Sequence, residues 1–284
     1  MNNRSAFVIV MILQLTIVAC SQPAEKFDLP GYAHAKPQVF RMPPVLDEIS
    51  GITFLNGNAD TVYAEQDEEG RLFYFHFGDK EPKHIKFGTN GDYEDVAICS
   101  GQIFLLRSDG SFFNFPLTAI HAEEVEATEQ DNLLDKGEYE AMYADEKTHQ
   151  LYVLCKSCKD DKGEKSVTGY TLSVAADGKL TRTGEFSVED QANENAEKKG
   201  RKKFRPSAMA KHPITGEWYI VSSVNKLLVI TDANWKLVRT YPLGPVLFNQ
   251  PEGIAFDKAG NLYISNEMGN AADATIVKFN YQKK

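Results

Sequence analysis

Three glutamates, Glu94, Glu140 and Glu252, occupy the same position in three similar short segments. The segments read "YEDVAI", "YEAMYA" and "PEGIAF". If such repeats surround one axis, their equivalent side chains meet at one opening. Carboxylates that converge in a narrow opening repel one another, and at least one should have a raised pKa unless positive charge lies nearby. The pattern therefore predicts a site that attracts a cation.

Hydroxyl residues take this position in two further segments, "ISGITF" with Ser50 and "PSAMAK" with Ser207. Carboxylate, hydroxyl and backbone oxygens suit Ca²⁺, which accepts about 6 to 8 oxygens at roughly 2.3–2.6 Å. The sequence shows no cluster of His and Cys that would indicate zinc instead. We predict a Ca²⁺ site with Glu94, Glu140 and Glu252 as ligands. The possible outer ligands are Ser50, Ser207, Glu65, Asp67, Asn266 and Glu267.

Two other roles remain open for these glutamates. They could accept hydrogen bonds from backbone amides and join neighbouring sheets. They could also serve a metal-dependent hydrolase of the lactonase or phytase-like phosphoesterase kind, in which the cation polarises an oxygen and a carboxylate activates water. Positive charge for a phosphate ester could come from Lys156, Arg205 and the basic cluster 198–203.

Enzymatic activity has little support in the motifs. The chain has no Gly-x-Ser-x-Gly elbow, phosphate loop or dinucleotide fingerprint, so we assign no catalytic or cofactor-binding residue. A histidine base is unsupported as well, because five scattered histidines all lie away from the strand openings: His76, His84, His121, His149 and His212.

The five segments open five copies of one larger unit, at intervals of 44, 46, 67 and 45 residues. A period near 45 with several short strands per unit is typical of a β-propeller blade. We therefore predict an all-β chain with a single propeller of five four-stranded blades. The long interval leaves six blades possible, although two polar insertions explain its excess: "KSCKDDKGEKSVT" and "VEDQANENAEKKGRKKFR".

Closure of the ring should involve the N-terminal part of the propeller. The fifth unit ends after its third strand, while "AKPQVFRMP" precedes the first unit without a partner. We expect this segment to supply the missing strand, and we assign residues 38–284 to the propeller domain. The first strand of a blade lies innermost, so the glutamate position should face the mouth of the central channel.

The N-terminus reads as an export signal. Residues 1–19 contain the apolar run "AFVIVMILQLTIVA", which is short and interrupted for a bilayer span. The following "IVAC" resembles a bacterial lipoprotein signal, so we predict Cys20 as the lipid anchor and residues 20–37 as anchor and tether. Acyl chains would hold the protein on a membrane. Ser21, in place of aspartate, favours the outer over the inner membrane of the cell envelope.

Three further cysteines lie in the exported part. Cys155 and Cys158, in "LCKSCK", could form a local disulfide, remain thiols or act as a redox pair. An oxidising compartment favours the disulfide, since the βαβ context of a thioredoxin-like motif is missing. Cys99 lies in an apolar strand, where a buried small residue is expected.

Charge excludes one class of partner. The chain has a formal charge of −9, and removal of residues 1–19 with Arg4 makes it −10. An acidic exported domain is not suited to nucleic acid, and the basic insertion is mixed in sign, as a solvated loop would be. We expect a monomer.

With these segments in view, the chain resembles the SdiA-regulated (YjiK/CarP-like) family of bacterial β-propellers. The likeness runs from about Val39 to Tyr281 and rests on the order of the five openings, above all on "QPEGIAFDKAGNLYISNE". It implies a cell-envelope propeller with a link to calcium in some members, and no established reaction. Only Glu94, Glu140 and Glu252 match the family's glutamate openings. The second unit departs from the pattern at Arg107 and Ser108.

These observations together predict an envelope-anchored binding module. Its cation-containing mouth would face a small-molecule or protein ligand that the sequence does not identify. The alternatives are the metal-dependent hydrolase and a structural scaffold for protein interaction.

Overall fold

The computed structural model describes residues 29–32, 36–159, 166–189 and 203–283. The predicted signal, Cys20 and most of the tether lie outside these residues, as do the central parts of both polar insertions. In the described ranges, no helix has the length and apolar character that crossing a bilayer would require. Helical structure there is confined to short 3-10 turns at Pro44–Leu46, Leu55–Gly57 and Leu117–Ala119.

The strands form five antiparallel sheets of four strands each. Blade 1 contains β2 (Ile49–Thr53), β3 (Val62–Gln66), β4 (Arg71–Phe75) and β5 (Lys83–Lys86). Blade 2 contains β6 (Tyr93–Cys99), β7 (Gln102–Arg107), β8 (Phe112–Pro116) and β9 (Thr128–Gln130). Blade 3 contains β10 (Gly137–Asp145), β11 (Gln150–Cys158), β12 (Ser166–Val174) and β13 (Leu180–Glu189). Blade 4 contains β14 (Ala208–Lys211), β15 (Trp218–Ser222), β16 (Leu227–Thr231) and β17 (Leu237–Pro242).

Blade 5 closes the ring with strands from both ends of the propeller. It contains β18 (Pro251–Phe256), β19 (Leu262–Asn266), β20 (Thr275–Phe279) and β1 (Gln38–Arg41). Strand β1 pairs antiparallel with β20, so that Val39 lies opposite Val277. The predicted five-bladed propeller with a closing N-terminal strand is therefore confirmed.

Unusually long strands in blade 3 account for much of the 67-residue interval. Strands β10 to β13 have 9, 9, 9 and 10 residues, whereas the strands of blade 4 have 4 to 6. The extra chain lengthens one blade and its loops, and no sixth sheet exists among the described residues.

The inner strands are buried on both faces. Every residue of β3, β15 and β19 is buried, whereas the outermost strand β17 alternates between half-buried and exposed positions. Since both faces of a blade pack against neighbouring blades, the inner strands are almost continuously apolar. Stacked aromatic rings fill one interface, with Trp235 lying 4.2 Å from Trp218 and 3.8 Å from Phe186 between ring centroids.

A short N-terminal segment, residues 29–32, packs on the propeller. Tyr32 is fully buried, and its hydroxyl donates to the Gly260 carbonyl at 2.5 Å. The same hydroxyl lies 3.1 Å from Nε2 of His212. Gly260 belongs to the β18–β19 turn and His212 follows β14, so this segment covers the end of the ring where the innermost strands finish.

The innermost strands approach so closely that glycine is required at one opening. A Cβ atom on Gly51 would lie 2.4 Å from Asp95 Oδ1 and 2.6 Å from the Asp95 Cα atom. Asp95 in turn joins blades 2 and 3, because its carboxylate accepts hydrogen bonds from the backbone N–H groups of Val96 at 2.8 Å and Met142 at 2.7 Å.

We expect Gly51→Ala to destabilise the protein by about 1–3 kcal/mol, the usual effect of overpacking a close-packed interior. Urea unfolding would measure the change. Gly184→Ala is the matched control, since its Cβ would meet only Thr171 Oγ1 at 3.0 Å. A Gly51→Ala variant as stable as the parent would contradict the close approach of β2 and β6.

Candidate functional site: the channel mouth

The predicted ligand positions lie at irregularities in the innermost strands. Tyr93 pairs with Arg107 and Asp95 with Leu106, which leaves Glu94 as an extra residue in a β-bulge. The pairing of β10 with β11 and of β18 with β19 shifts in the same way at Glu140 and Glu252. In blade 1 the register shifts between Ile49 and Ile52, around Ser50. A bulge interrupts the alternation of side chains along a strand and redirects the side chain of the extra residue. The side chain at the repeated position is therefore turned away from the interface between blades.

Two of the glutamates influence each other across the channel. Burial, together with the negative charges of Asp92 and Glu252, raises the pKa of Glu94 to about 9, while Lys156 opposes this rise. Burial also raises the pKa of Glu252, against hydrogen bonds from Ser207 and Ser223 that lower it. Both carboxyl groups are therefore poorly solvated, and both hold protons more tightly than an exposed glutamate.

Glu140 has a cationic partner within the protein. Its carboxylate forms an ion pair with Lys156 Nζ, which also lies 3.6 Å from Glu138 Oε1. The Lys156 side chain is 19% exposed and that of Glu140 only 6%. Lys156 thus supplies part of the positive charge that the carboxylate pattern requires. It stands at the end of β11, next to the disulfide that joins Cys155 to Cys158.

The closest grouping of carboxylates lies further out. One oxygen from each of Glu48, Asp67 and Glu267 lies within 4.8 Å of the other two. Asp67 and Glu267 were among the predicted outer ligands, whereas Glu48 was not predicted. Such a grouping is found nowhere among Glu94, Glu140 and Glu252 in the described chain. We call the group of Glu48, Asp67 and Glu267 the outer acidic cluster.

Backbone hydrogen bonds hold this cluster at the junction of blades 1 and 5. The Asp67 N–H donates to the Glu48 carbonyl at 3.4 Å, and the Glu267 N–H donates to the Gln250 carbonyl at 2.9 Å. The Glu267 side chain also accepts a hydrogen bond from Gln250 Nε2 at 2.7 Å. The cluster is therefore tied to strand ends and not to a long loop.

Burial and mutual repulsion raise the pKa values within the outer acidic cluster. The pKa of Asp67 is raised to about 6 by burial and by the charges of Glu48 and Glu68. That of Glu267 is raised to about 8 by burial and by Glu252 and Asp67, against a lowering effect of Lys156. The mouth thus has more carboxylates than its lysines neutralise.

Several buried oxygen atoms next to the mouth have no hydrogen-bond donor. Asn266 donates through Nδ2 to Thr275 Oγ1 at 3.3 Å, while its Oδ1 has no partner. Glu65 accepts from the Gly51 N–H at 2.6 Å through Oε1 only. An unpaired buried acceptor costs about 1–3 kcal/mol. The unpaired acceptors at these strand ends are Glu65 Oε2, Asp67 Oδ1, Glu140 Oε2 and Asn266 Oδ1.

Near the axis, the hydrogen bonds between blades come mainly from side chains other than those of the three glutamates. Ser50 Oγ donates to the Glu94 carbonyl at 2.9 Å, and Ser265 Oγ donates to the Ser50 carbonyl at 2.7 Å. Ser50 is therefore a connection between blades 5, 1 and 2. The bonds of Glu252 to Ser207 and Ser223 join blades 5 and 4, so this glutamate alone of the three shows the joining role through its carboxylate.

The departure in the second blade has a structural explanation. Arg107 forms ion pairs with Asp109 at 2.9 Å and Glu129 at 3.1 Å, within its own blade. Ser108 Oγ donates to Asp92 Oδ2 at 2.5 Å. Blade 2 therefore contributes acids through Asp92 and Glu94 and none from the end of its second strand.

The other end of the channel contains a cavity. A cavity of about 630 Å³ lies where the innermost strands finish, and all five blades line it. Its lining is mixed, with apolar residues such as Ile52, Met142 and Ile254 beside charged residues such as Lys147 and Lys258. Sequence reasoning directed attention to the glutamate end only and did not anticipate this cavity.

The fold and the mouth together define a class: a five-bladed propeller whose channel opens through a crowded ring of carboxylates. The chain belongs to the SdiA-regulated family, whose family model matches residues 31–270. The resemblance drawn from the repeated openings is thereby confirmed. No curated protein sequence matches the chain significantly.

Solved structures resemble the chain in fold. The glutaminyl cyclase of Myxococcus xanthus superposes with a TM-score of 0.58 at 12% identity, covering 88% of this chain and 97% of that one. A luciferin-regenerating enzyme superposes with a TM-score of 0.55 at 9% identity, covering 86% and 95%. At such low identities the likeness concerns the fold alone.

The raised pKa values predict an unusual pH dependence of stability. The folded mouth binds more protons than the unfolded chain between the ordinary carboxyl pKa and the raised values, about 6 for Asp67 and about 8 for Glu267. Stability must therefore fall as pH rises through this window. In the presence of a chelator, we expect a lower melting temperature at about pH 8.5 than at about pH 5.5.

Glu267→Gln should reduce this slope, because it removes one of the groups that titrate in the window. Asp177→Asn, in the exposed β12–β13 turn, makes the same charge change elsewhere and should leave the slope unchanged. Equal slopes for Glu267→Gln and the parent would show that the mouth does not control the pH dependence.

Proposed function

We propose that this protein is a Ca²⁺-binding propeller of the bacterial cell envelope, a binding module and not an enzyme. The cation sits at the channel mouth, on the outer acidic cluster of Glu48, Asp67 and Glu267. It bridges the strand ends of blades 1 and 5. The family membership and the propeller fold agree with this role, and the chemistry of the mouth supports it.

The observation that carries the proposal is the set of buried acceptors without donors. Asp67 Oδ1 is unpaired within the cluster, and Asn266 Oδ1 is unpaired one residue before Glu267. The amide oxygen of Asn266 can only accept, and so can Asp67 Oδ1 while the carboxyl group is ionised, so a cation or a hydrogen-bond donor must approach them to recover the lost solvation. A cation also removes the repulsion among three carboxylates, which a water molecule cannot do.

The donor set favours calcium. Carboxylate and amide oxygens are hard ligands, and Ca²⁺ tolerates irregular geometry with about 6 to 8 of them, including water. Mg²⁺ demands a nearly ideal octahedron and gives up its water reluctantly, so a half-buried irregular cluster suits it less well. No sulfur or imidazole ligand lies in the outer acidic cluster.

The deeper carboxylates have a supporting role in this proposal. Glu94 and Glu252 hold their protons tightly, so they carry less charge than exposed carboxylates, and Glu140 is largely neutralised by Lys156. Lys156 also lowers the pKa of Glu267, so its charge reaches the outer acidic cluster. A ligand that displaced Lys156 from Glu140 would change the charge next to the cation, which is how the mouth could sense a small molecule or a protein.

Calorimetric titration of the metal-free protein with Ca²⁺ tests the site. We expect Asp67→Asn and Glu267→Gln each to weaken binding at least about tenfold, or about 1.4 kcal/mol, because each removes a charged ligand. Glu140→Gln should have a smaller effect, since Lys156 already neutralises that carboxylate. Asp177→Asn is the control for net charge.

The pattern among the variants decides between cation sites. A larger loss from Glu140→Gln than from Glu267→Gln would place the cation on the deeper carboxylates instead. No heat of binding in the parent, together with no calcium in the purified protein, would contradict the proposal as a whole.

The proposed attachment to the membrane depends on Cys20. We expect wild-type protein in the membrane fraction of a bacterial expression host, and Cys20→Ser protein in the soluble fraction, because the acyl chains would be lost. Metabolic labelling with a fatty-acid analogue gives an independent measurement. Labelled Cys20→Ser protein, or an unlabelled wild type, would contradict the lipid anchor.

A further inference from the structure

A second group of metal-binding residue types lies at the opposite end of the ring. Single ligand atoms of Cys99, Glu146 and His149 lie within 4.8 Å of one another. Cys99 is fully buried at the end of β6, and it is the free cysteine of the described residues. Glu146 and His149 are exposed in the turn between β10 and β11. The group therefore spans blades 2 and 3.

Two tight turns bring these residues together. Cys99 pairs with Gln102 across a two-residue turn, with Ser100 and Gly101 in the left-handed region at φ 53° and 72°. Such paired positive φ values are typical of the turns that connect hairpin strands. His149 also has a positive φ of 52°, immediately before β11 begins. The backbone conformation of the two turns thus places Cys99, Glu146 and His149 near one another.

Hydrogen bonds between the two turns orient the side chains. The Ser100 N–H donates to Glu146 Oε2 at 2.8 Å. Ser100 Oγ lies 2.8 Å from His149 Nδ1. Cys99 Sγ lies 3.8 Å from Ser100 Oγ. Ser100 therefore holds the imidazole of His149 and the carboxylate of Glu146 close to the thiol of Cys99.

The donor set differs in kind from that of the channel mouth. Thiolate, imidazole and carboxylate together suit Zn²⁺, and a hard cation such as Ca²⁺ does not prefer sulfur. In a tetrahedral site with Zn–S near 2.3 Å and Zn–N and Zn–O near 2.0–2.2 Å, ligand atoms lie about 3.3–3.6 Å apart. Because the ligand atoms lie within 4.8 Å of one another, a contraction of at most about 1.5 Å reaches this geometry, and the side chains of Glu146 and His149 are exposed and free to rotate.

We propose that Cys99, Glu146 and His149 bind Zn²⁺ or a similar borderline-soft divalent cation. The metal takes one ligand from blade 2 and two from blade 3, and water or Ser100 Oγ completes its coordination. The thiol proton of Cys99 leaves to solvent as the metal binds. Glu146 also lines the large cavity at this end of the channel, so the metal stands at the rim of that cavity.

This site is independent of the proposed calcium site. The outer acidic cluster lies where the innermost strands begin, and the Cys99 group lies where they end. The two groups have no residue in common. Binding of Ca²⁺ at the outer acidic cluster therefore does not predict whether the Cys99 group binds Zn²⁺. Either proposal can be contradicted while the other holds.

Cobalt spectroscopy of the full chain tests the proposal. Thiolate-bound Co²⁺ absorbs in the near ultraviolet by charge transfer, whereas Co²⁺ on carboxylates does not. We expect this band on titration of the metal-free parent with Co²⁺, and its loss when Zn²⁺ is added. Cys155 and Cys158 are joined in a disulfide and provide no thiolate.

The variants identify the ligands. Cys99→Ser should remove the band, which also excludes Cys20 as its source. His149→Ala and Glu146→Gln, both at exposed positions, should keep the fold and weaken Co²⁺ binding at least about tenfold each. Asp177→Asn and His84→Ala, away from both metal-binding groups, should leave the band and the affinity unchanged.

Several results would overturn the proposal. A missing band in the parent would do so, as would a band that persists in Cys99→Ser. If Cys99→Ser failed to fold, parental Co²⁺ affinity in both His149→Ala and Glu146→Gln would contradict the site equally well. Loss of binding in Glu267→Gln alone would assign the metal to the channel mouth.

Discussion

Every blade of this propeller must cover both faces of a small sheet, and only a closed ring lets each blade do so for its neighbours. The inner strands are accordingly buried throughout, as in β3, β15 and β19. Closure also forces five strand openings onto one narrow axis, where Gly51 lies against Asp95 without room for a Cβ atom. Residues far apart in sequence are brought together at the mouth by this crowding, and their proximity determines its chemistry.

Crowding at the axis places acidic side chains where burial disfavours their charged form. Bulges turn Glu94, Glu140 and Glu252 out of the sheet interfaces, and burial then raises the pKa values of Glu94 and Glu252. The propeller tolerates this in two ways. Lys156 neutralises Glu140 from inside the protein. Among the described residues, none forms a comparable ion pair with the outer acidic cluster, which is why the proposed cation is assigned to it.

Much of the fold could be read from the sequence because the repeats are regular. The period near 45 residues, the repeated openings and the unpaired N-terminal segment predicted five blades and their closure. The long third interval was ambiguous, because extra residues in longer strands look the same in sequence as a degenerate blade. Strands β12 and β13 are long enough to absorb them.

The site was only partly predictable. Residues at the same position of each repeat must face the same end of the channel. The repeat does not determine, however, how close their side chains come to one another. Glu48 escaped notice, although acids recur two residues before the openings, as Asp92 and Glu138 do. Lys156 was considered as a source of charge for a substrate, yet it pairs with Glu140. Cys99, Glu146 and His149 lie in different turns, and no spacing rule connects them.

The buried segment at residues 29–32 has a consequence for how the propeller is presented. Tyr32 is fixed between Gly260 and His212, on the side where the innermost strands finish. The first described residues therefore lie at the base of the ring, at the opposite end of the channel from the outer acidic cluster. If Cys20 is the proposed lipid anchor, its attachment would enter the propeller on the side of the cavity and leave the ring of acids unobstructed by the tether.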